Sequence, residues 1–437
     1  MPETLGIYWF RNDLRLDDNP ALIEACRQAG RLLPVYCRRG DAGLTRWGVP
    51  RSSAHRHHFL VSAFGDLAAQ LQACGSGLLE LEGDPVQLLP ALARATGATR
   101  VYCEAIGAPE EQGQLAALRA AGLEVTAVWQ SSLLDPSDLP FAPAALPDVF
   151  TAFRTLVEAA QVRPRAPAAR PQRLPPLPHD AAALWAGWAA PAVLPASDPG
   201  THPAAGRSAF PYFLPRFGGG STAASAHLQQ YFGRALAPSY KRTRNGLSGI
   251  DYSTKFSPWL AVGALSARQI YAALKQFEAA HGASDGSYWI WFELLWRDYF
   301  RLLHLKYGAR LYGARGLSQL AAPAHDADRF AAWREARTGE PLIDAAMTEL
   351  KLSGYLSNRL RQVAASYLIH DLGCDYRAGA AWFEAQLVDY DVYSNQGNWL
   401  YIAGRGTDPR QGRRFNVQKQ VSEHDPDGAY RRLWNAG

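Results

Sequence analysis

At 437 residues the chain is longer than one hydrophobic core usually organises, and a hydrophobic content of 48% is ample for two domains. No apolar run approaches a membrane span, and the first strand-like segment, Leu5 to Phe10, is too short and wrongly flanked for a signal peptide, so no membrane association and a cytoplasmic location are expected. The net charge of +5 is unevenly placed: residues 201–437 carry 28 Lys/Arg against 20 Asp/Glu, whereas residues 1–200 carry a small acidic surplus, which fits either a polyanion-binding surface or ordinary solvated side chains.

Short apolar runs recur at Leu5–Phe10, Leu32–Tyr36, Leu78–Glu82, Arg100–Cys103 and Glu124–Trp129, with helical periodicity between several of them. That alternation predicts a Rossmann-like α/β domain with a parallel sheet over residues 1–130. No GxGxxG follows the first run, where the text reads Arg11-Asn12-Asp13-Leu14-Arg15, so a dinucleotide fingerprint is disfavoured. The cysteines (Cys26, Cys37, Cys74, Cys103 and Cys374) are scattered and odd in number without a CxxC pair, so buried reduced thiols are expected and neither disulfides nor a metal site. Residues 131–200 turn to Pro and Ala and read as an inter-domain linker.

From residue 201 to 437 the pattern is helical. Ser257-Pro258 reads as an N-cap with proline at the first helical position, opening a helix through Ala280, and Pro341 opens another that Gly354 closes. Around the first of these, Ser253, Thr254, Lys255 and Ser257 gather hydroxyls and an ammonium, which is either a phosphate cradle or plain capping. In the aromatic-rich helix Tyr288 to Leu303, Glu293, Trp296 and Arg297 share one face, the bland alternatives being a core stripe and a structural Glu–Arg pair. Asn358, Arg359, Arg361 and Gln362 crowd the start of a further helix, and Asp389 and Asp391 precede Asn395, Asn398 and Trp399. Pairing of Asp389 with Arg361 is at least as plausible as metal ligation there, since no His or Cys stands nearby.

The opening YWFRNDLRLDDNPAL and the ending YDVYSNQGNWLYIAGRGTDPRQGRRFNVQKQVSEHDPDGAYRRLW resemble the photolyase/cryptochrome family, the ending looking like its DASH branch, and the likeness runs from Leu5 to Trp434. The resemblance implies an α/β antenna domain joined to an all-α domain that holds a folded-back FAD. It implies that Tyr240, Ser253, Thr254, Lys255, Phe256 and Ser257 surround the phosphates and ribityl chain, with Arg297 also facing the cofactor. Arg361 and Asp389 would pair against the flavin ring, Asp391 would lie near its polar edge, Asn395 would approach N5, and Asn398 would join the cofactor contacts. The implied reaction is light-driven splitting of a cyclobutane pyrimidine dimer in DNA. Glu293, as the protonated acid, would bond the lesion and Asn358 the lesion or the adenine, both also counting among the cofactor contacts, with Trp296 and Tyr401 as walls and Arg359 and Gln362 facing the same pocket. The polar pair Gln362 and Tyr401 weakens stacking on a flipped lesion, which predicts a preference for single-stranded DNA, where most of the cost of extrusion from a duplex is avoided. Asparagine at 358 argues against (6-4) lesions, and a monomer is expected.

Two features depart from the family pattern. Trp399 matches the innermost of three tryptophans that relay electrons to the flavin, but the middle position reads Tyr376, and the outer one falls in Leu303–Ala332, which contains no tryptophan. The relay is thus broken or rerouted through Tyr376, Tyr393, Tyr401 or Trp382, and slow photoreduction is expected. The antenna pigment implied for the DASH branch is methenyltetrahydrofolate, for which Glu110 or Glu111 is the candidate contact, while other members of the family use deazaflavin or none. The rival readings are a light-sensing cryptochrome without repair activity and a colourless nucleic-acid-binding protein.

Overall fold

The computed structural model describes residues 4–38, 43–191 and 199–435. The strands β1 (Leu5–Phe10), β2 (Arg31–Arg38), β3 (Leu79–Glu82), β4 (Arg100–Glu104) and β5 (Glu124–Val128) form one parallel sheet in the order β3-β2-β1-β4-β5. The fold class read from the sequence is borne out, with the apolar runs placed to within two residues or so. Alternation along each strand divides the buried side chains between two faces. Ile7, Trp9, Leu33, Val35, Val101 and Cys103 pack under the helices Pro85–Thr96 and Pro109–Ala120 in one core. Tyr8, Phe10, Leu32 and Tyr102 belong to the other core, which runs without a break into the helical half of the molecule.

The junction is built from the loop after β1, at the switch point between β1 and β4 where open α/β sheets commonly seat ligands. Here that loop grips the helical half. Asp13 accepts from Tyr8, the Arg11 N–H and Gln130, which fixes the turn. The Leu14 N–H then donates to the Val262 carbonyl, Arg15 donates to the Gly263 carbonyl at 2.9 Å, and Arg268 pairs with the buried Asp18 at 2.8 Å. Gly263 has φ +72°, and a Cβ there would stand 1.9 Å from the Asn12 carbonyl oxygen.

This contact overturns one expectation from the sequence. The helix opened at Ser257-Pro258 does not run to Ala280: it stops at Val262, Gly263 reverses the backbone, and a second helix with its own Ser266/Gln269 capping box covers Ala267–His281. Ser257 is also not the cap, because Phe256 holds that position and the Ser257 hydroxyl donates to Asp389 instead. The Pro341 helix ends at Ser353 with Gly354 left-handed, as read. Of the cysteines only Cys103 and Cys374 are buried, Cys26, Cys37 and Cys74 being partly exposed.

Residues 131–191 lie against both halves. The Leu133 and Leu134 N–H groups donate to the buried Asp298 carboxylate, the helix Phe150–Ala159 packs Phe150 on Trp296, and the Ala190 N–H donates to the Glu80 carbonyl at the β3 edge. No helix among the described residues is long and apolar enough to cross a membrane.

Candidate active site

Two helices face each other across a narrow cavity of about 80 Å³. On one side the helix Asn358–Ser366, capped by Ser357, offers Asn358, Arg361 and Gln362. On the other the helix Val392–Ile402 offers Asn395, Asn398, Trp399 and Ile402, the i, i+3, i+4, i+7 stripe of one helical face. Asp389 and Asp391 close the end. Arg361 Nη2 lies 2.9 Å from both carboxylate oxygens of Asp389, and its Nε donates to the Leu356 carbonyl. Asp391 caps its helix through the Ser394 N–H and pairs with the buried Arg301 at 2.6 Å. Burial alone would raise the Asp391 pKa, but Arg301 and Arg297 outweigh it and hold the group well below the usual carboxylate range. It is therefore a fixed anion. Asn395 donates to the Ala380 carbonyl and Asn398 to the Ser394 carbonyl, so each keeps its amide oxygen for the cavity.

The segment Tyr252 to Ser257 lies behind Arg361 and Asp389. Ser253 is hydrogen-bonded to Tyr355, and the Thr254 carbonyl takes a hydrogen bond from His227. Lys255 departs from the cradle picture: it is buried with φ +56°, its Nζ sits 3.3 Å from the centre of the Tyr252 ring, and no hydrogen-bond partner reaches it. Burial lowers its pKa well below the ordinary lysine value. Phe256 packs edge-on against Tyr231. Buried Tyr240 is hydrogen-bonded to Arg244, whose other partner is Glu293 at 2.5 Å. Burial raises the Glu293 pKa, against the pull of Arg244.

The face shared by Glu293, Trp296 and Arg297 is divided among three neighbours. Glu293 turns to Arg244, not to Arg297. Arg297 donates to the Ser131 and Leu260 carbonyls, and burial followed by Arg301 lowers its pKa to about 10. Trp296 stacks on Phe150 at 3.8 Å and meets Tyr401 nearly perpendicularly at 5.9 Å, and the two rings line a second cavity of about 220 Å³. Asp148, Thr407, Asp408, Arg410 and Arg413 form its polar lining, with Arg413 donating to the Tyr401 hydroxyl. Arg359 shares neither cavity. Its guanidinium donates to Asn245 at 3.0 Å and covers Phe415, so the expectation that it faces the same pocket as Gln362 is corrected. The single shared pocket is corrected as well: Asn358 and Gln362 line the narrow polar cavity, not the one between Trp296 and Tyr401, and Glu293 lines neither. Helical geometry turns it roughly 200° from Arg361, the residue that anchors the cavity face, and its long stem leads outward from there.

Trp399 is buried with Phe383 at 5.1 Å and Trp333 at 6.4 Å. Tyr376 is buried and donates to the Gly313 carbonyl, while Trp382 is buried beside Arg334. A large cleft of about 1010 Å³ separates the sheet domain from the helices, with Arg11, Arg51, Glu110 and Glu111 on one wall and Arg377 and Glu384 on the other. Glu110 pairs there with Arg51 at 2.8 Å. Tyr390 and Asn395 line both this cleft and the narrow cavity. Among the described residues no group of three or more His, Cys, Asp or Glu is arranged to hold a metal.

Sequence reasoning missed Arg244, Arg301, Tyr355 and Trp333. Arg244 lies four residues after Tyr240 and Arg301 four after Arg297, a spacing that would have put each on the chosen stripe. Tyr355 carries no local signal. Trp333 stands one residue beyond Leu303–Ala332, the stretch in which the outer relay position falls.

A parallel α/β domain joined to a helical domain with such a cavity defines a flavoprotein of photolyase architecture. Residues 289–436 match the model of the FAD binding domain of DNA photolyase, and residues 6–173 match that of DNA photolyase. The chain is 43% identical to the cryptochrome DASH of Xenopus laevis over 99% of this chain and 83% of that protein, and 41% identical to that of Synechocystis over 99% and 88%. The crystal structure of a Synechocystis cryptochrome superposes with a TM-score of 0.86 at 39% identity, covering 99% of this chain and 89% of that one. A bacterial class III photolyase from Agrobacterium tumefaciens superposes with a TM-score of 0.77 at 29% identity, covering 99% and 87%. The chain belongs to the photolyase/cryptochrome family, and its cofactor is FAD. The residues present fit that group: the amides of Asn358 and Gln362 have no partner among the described residues, and buried Lys255 Nζ and Arg301 Nη1 are basic groups without a hydrogen-bond acceptor.

Proposed function

We propose that the protein repairs cyclobutane pyrimidine dimers in DNA in a light-dependent reaction, with single strands preferred over duplex. The observation that carries this reading is that one helix serves two cavities. Val392–Ile402 turns Asn395, Asn398 and Trp399 to the polar cavity and Gly397, Leu400 and Tyr401 to the aromatic one, so a flavin and two fused bases can sit one helix apart. Residues 1–130 then serve as the antenna-chromophore domain, 131–200 as the linker and 201–437 as the catalytic domain.

FAD held by these residues would, when reduced and excited, supply one-electron chemistry for opening the cyclobutane ring, the electron being returned afterwards. The chain supplies position and charge. The Arg361–Asp389 pair would hold the ring, and Asp391, fixed as an anion by Arg301, would supply a fixed negative charge beside it. Asn395 would offer a neutral amide toward N5, which would oppose no negative charge on the reduced ring. Glu293, its pKa raised by burial, would donate a proton to a base carbonyl that reaches it from the aromatic cavity, and Asn358, on the polar cavity, would bond the lesion edge or the adenine of the cofactor. Trp296 offers one wall already backed by Phe150, and Tyr401, held by Arg413, offers the other. A wall of tyrosine stacks less area than an indole, which favours lesions that need no extraction from a duplex. Arg410, exposed at the cavity, would meet the strand's phosphates, while Arg413 is engaged by Tyr401 and Asp408. The inter-domain cleft is the place for an antenna pigment, with methenyltetrahydrofolate as the candidate beside Glu110 and Glu111, and the protein acts as a cytoplasmic monomer.

The test is an absorption spectrum of the purified protein followed by repair of a dimer-containing oligonucleotide in light and in darkness. Flavin bands with light-dependent restoration of single strands are expected. A flavin-bearing protein that restores neither strand form leaves a light-sensing cryptochrome, and equal repair of duplex and single strands removes the strand preference.

A further inference from the structure

Trp399 lines the polar cavity and can give up an electron, and its own supply is the question the altered relay raises. Aromatic rings close around it. Phe383 lies 5.1 Å away at 73°, Trp333 lies 6.4 Å away at 77°, and Phe383 and Trp333 are themselves near-parallel at 6.0 Å. Gly379 makes room for this packing, since a Cβ at that position would stand 2.2 Å from Trp399 Cη2.

Tyr376, the residue at the expected middle position, is poorly suited to follow Trp399. A phenol is oxidised at accessible potentials only if its proton leaves with the electron, and the Tyr376 hydroxyl donates to the Gly313 backbone carbonyl, which is not a base. Burial pushes its pKa up to about 12, so no phenolate is present to bypass that requirement. An indole has no such requirement. Trp333 is fully buried, and its N–H donates to the Ala364 carbonyl at 3.1 Å, so a carbonyl dipole points at the atom where positive charge would collect without accepting its proton.

We propose that Trp333 is the second electron donor of this protein, replacing Tyr376, and that the relay ends there. Resting on the flavin reading above, one electron passes from Trp399 to the photoexcited oxidised isoalloxazine and one passes from Trp333 to Trp399. Trp399 is restored, Trp333 is left one electron short as an indole radical cation, and no bond forms or breaks and no proton moves. Beyond Trp333 the aromatic path runs through Phe330 at 6.2 Å and His325 to Trp47. Phe330 is too hard to oxidise to serve as a stop. Trp47 lies under the guanidinium of Arg46 at 4.3 Å, with Arg377 at 5.8 Å, and both disfavour a positive charge on its ring. Trp382 has Arg334 at 5.4 Å in the same unfavourable sense. The hole stays on a buried indole that a thiol reductant cannot touch, so it is refilled by return of the electron and net photoreduction is slow even though the first steps are fast.

Transient absorption of the flavin-loaded protein after a blue pulse tests this, read at the tryptophan radical band. The expected result is an indole radical cation whose lifetime Trp333→Phe shortens at least tenfold, with Tyr376→Phe and Trp382→Phe leaving it unchanged. A lifetime that Trp333→Phe leaves intact, or that Tyr376→Phe collapses, overturns the proposal. Bound flavin absorbance and a thermal melt of each variant separate a lost donor from a misfolded site, and Trp333→Tyr, which keeps the ring volume more nearly, repeats the test should Trp333→Phe melt early. Protein that never carries flavin would count against the functional reading, whereas flavin-loaded protein indifferent to Trp333 counts against the relay alone.

Discussion

Glu293 is held between burial, which raises its pKa, and Arg244 at 2.5 Å, which lowers it. Replacing the acid by its amide keeps the shape and one hydrogen bond but removes the transferable proton. Glu293→Gln is expected to retain FAD and to lower light-driven repair by roughly ten- to a hundredfold, in keeping with about 1.5–3 kcal/mol for a hydrogen bond to a charged group; a repair yield equal to wild type would deny it that role. Glu349 gives a pH prediction. It is buried beside Lys255 and bonded by Tyr430, and burial pushes its pKa up to about 8 in spite of both. The folded protein therefore binds this proton more tightly than the unfolded chain, so its contribution is present below the unfolded value and is lost as pH rises toward 8. Over that window stability should fall with pH by up to about 1.4 kcal/mol per unit from this group. Denaturant melts of Glu349→Gln at pH 6 and pH 8 should show a flatter dependence than wild type, and parallel curves would contradict the assignment.

Among the elements, the short helix Ser257–Val262 depends on Gly263 at its end. Gly263→Ala adds a methyl at a left-handed backbone and drives it into the Asn12 carbonyl, so a loss of more than about 1 kcal/mol is expected, read as a lowered melting temperature together with weaker FAD retention. An unchanged melt would show that the Asn12 loop can withdraw. This glycine also explains where the sequence was unreadable. Strands were legible because burial on both faces makes them short apolar runs, and the Pro341 helix because its start and its Gly354 stop are local. In WLAVGALSARQI the apolar pattern continues across Gly263, and the reason for the break is a loop about 250 residues away in sequence. The site follows the same rule. Arg361 and Asp389 carry opposite charges in two segments that the sequence already singles out and could be paired on paper, whereas the partner of Glu293 is Arg244, 49 residues upstream, and not the helical neighbour Arg297. Helical spacing says which residues share a face, but tertiary packing decides which of them turn inward.

At the scale of the whole molecule the charge division acquires a use. The basic surplus belongs to the half that carries both cavities, and Arg410 lies on the rim of the aromatic one. Binding to a dimer-containing single strand should weaken linearly in log–log with salt, and Arg410→Ala should reduce that slope by about 0.7, the share of one phosphate contact on a single strand. A slope equal to wild type would place Arg410 off the strand's path.

The unbroken core between one sheet face and the helices has a further consequence for how the polypeptide comes into being. Tyr8, Phe10 and Phe59 bury against residues that the ribosome delivers only much later, and the Asp18 carboxylate waits for Arg268. A fragment ending before Thr201 would leave an oily wall and an uncompensated anion facing water, so it should aggregate when made alone and become recoverable when the complementary fragment is synthesised in the same cell.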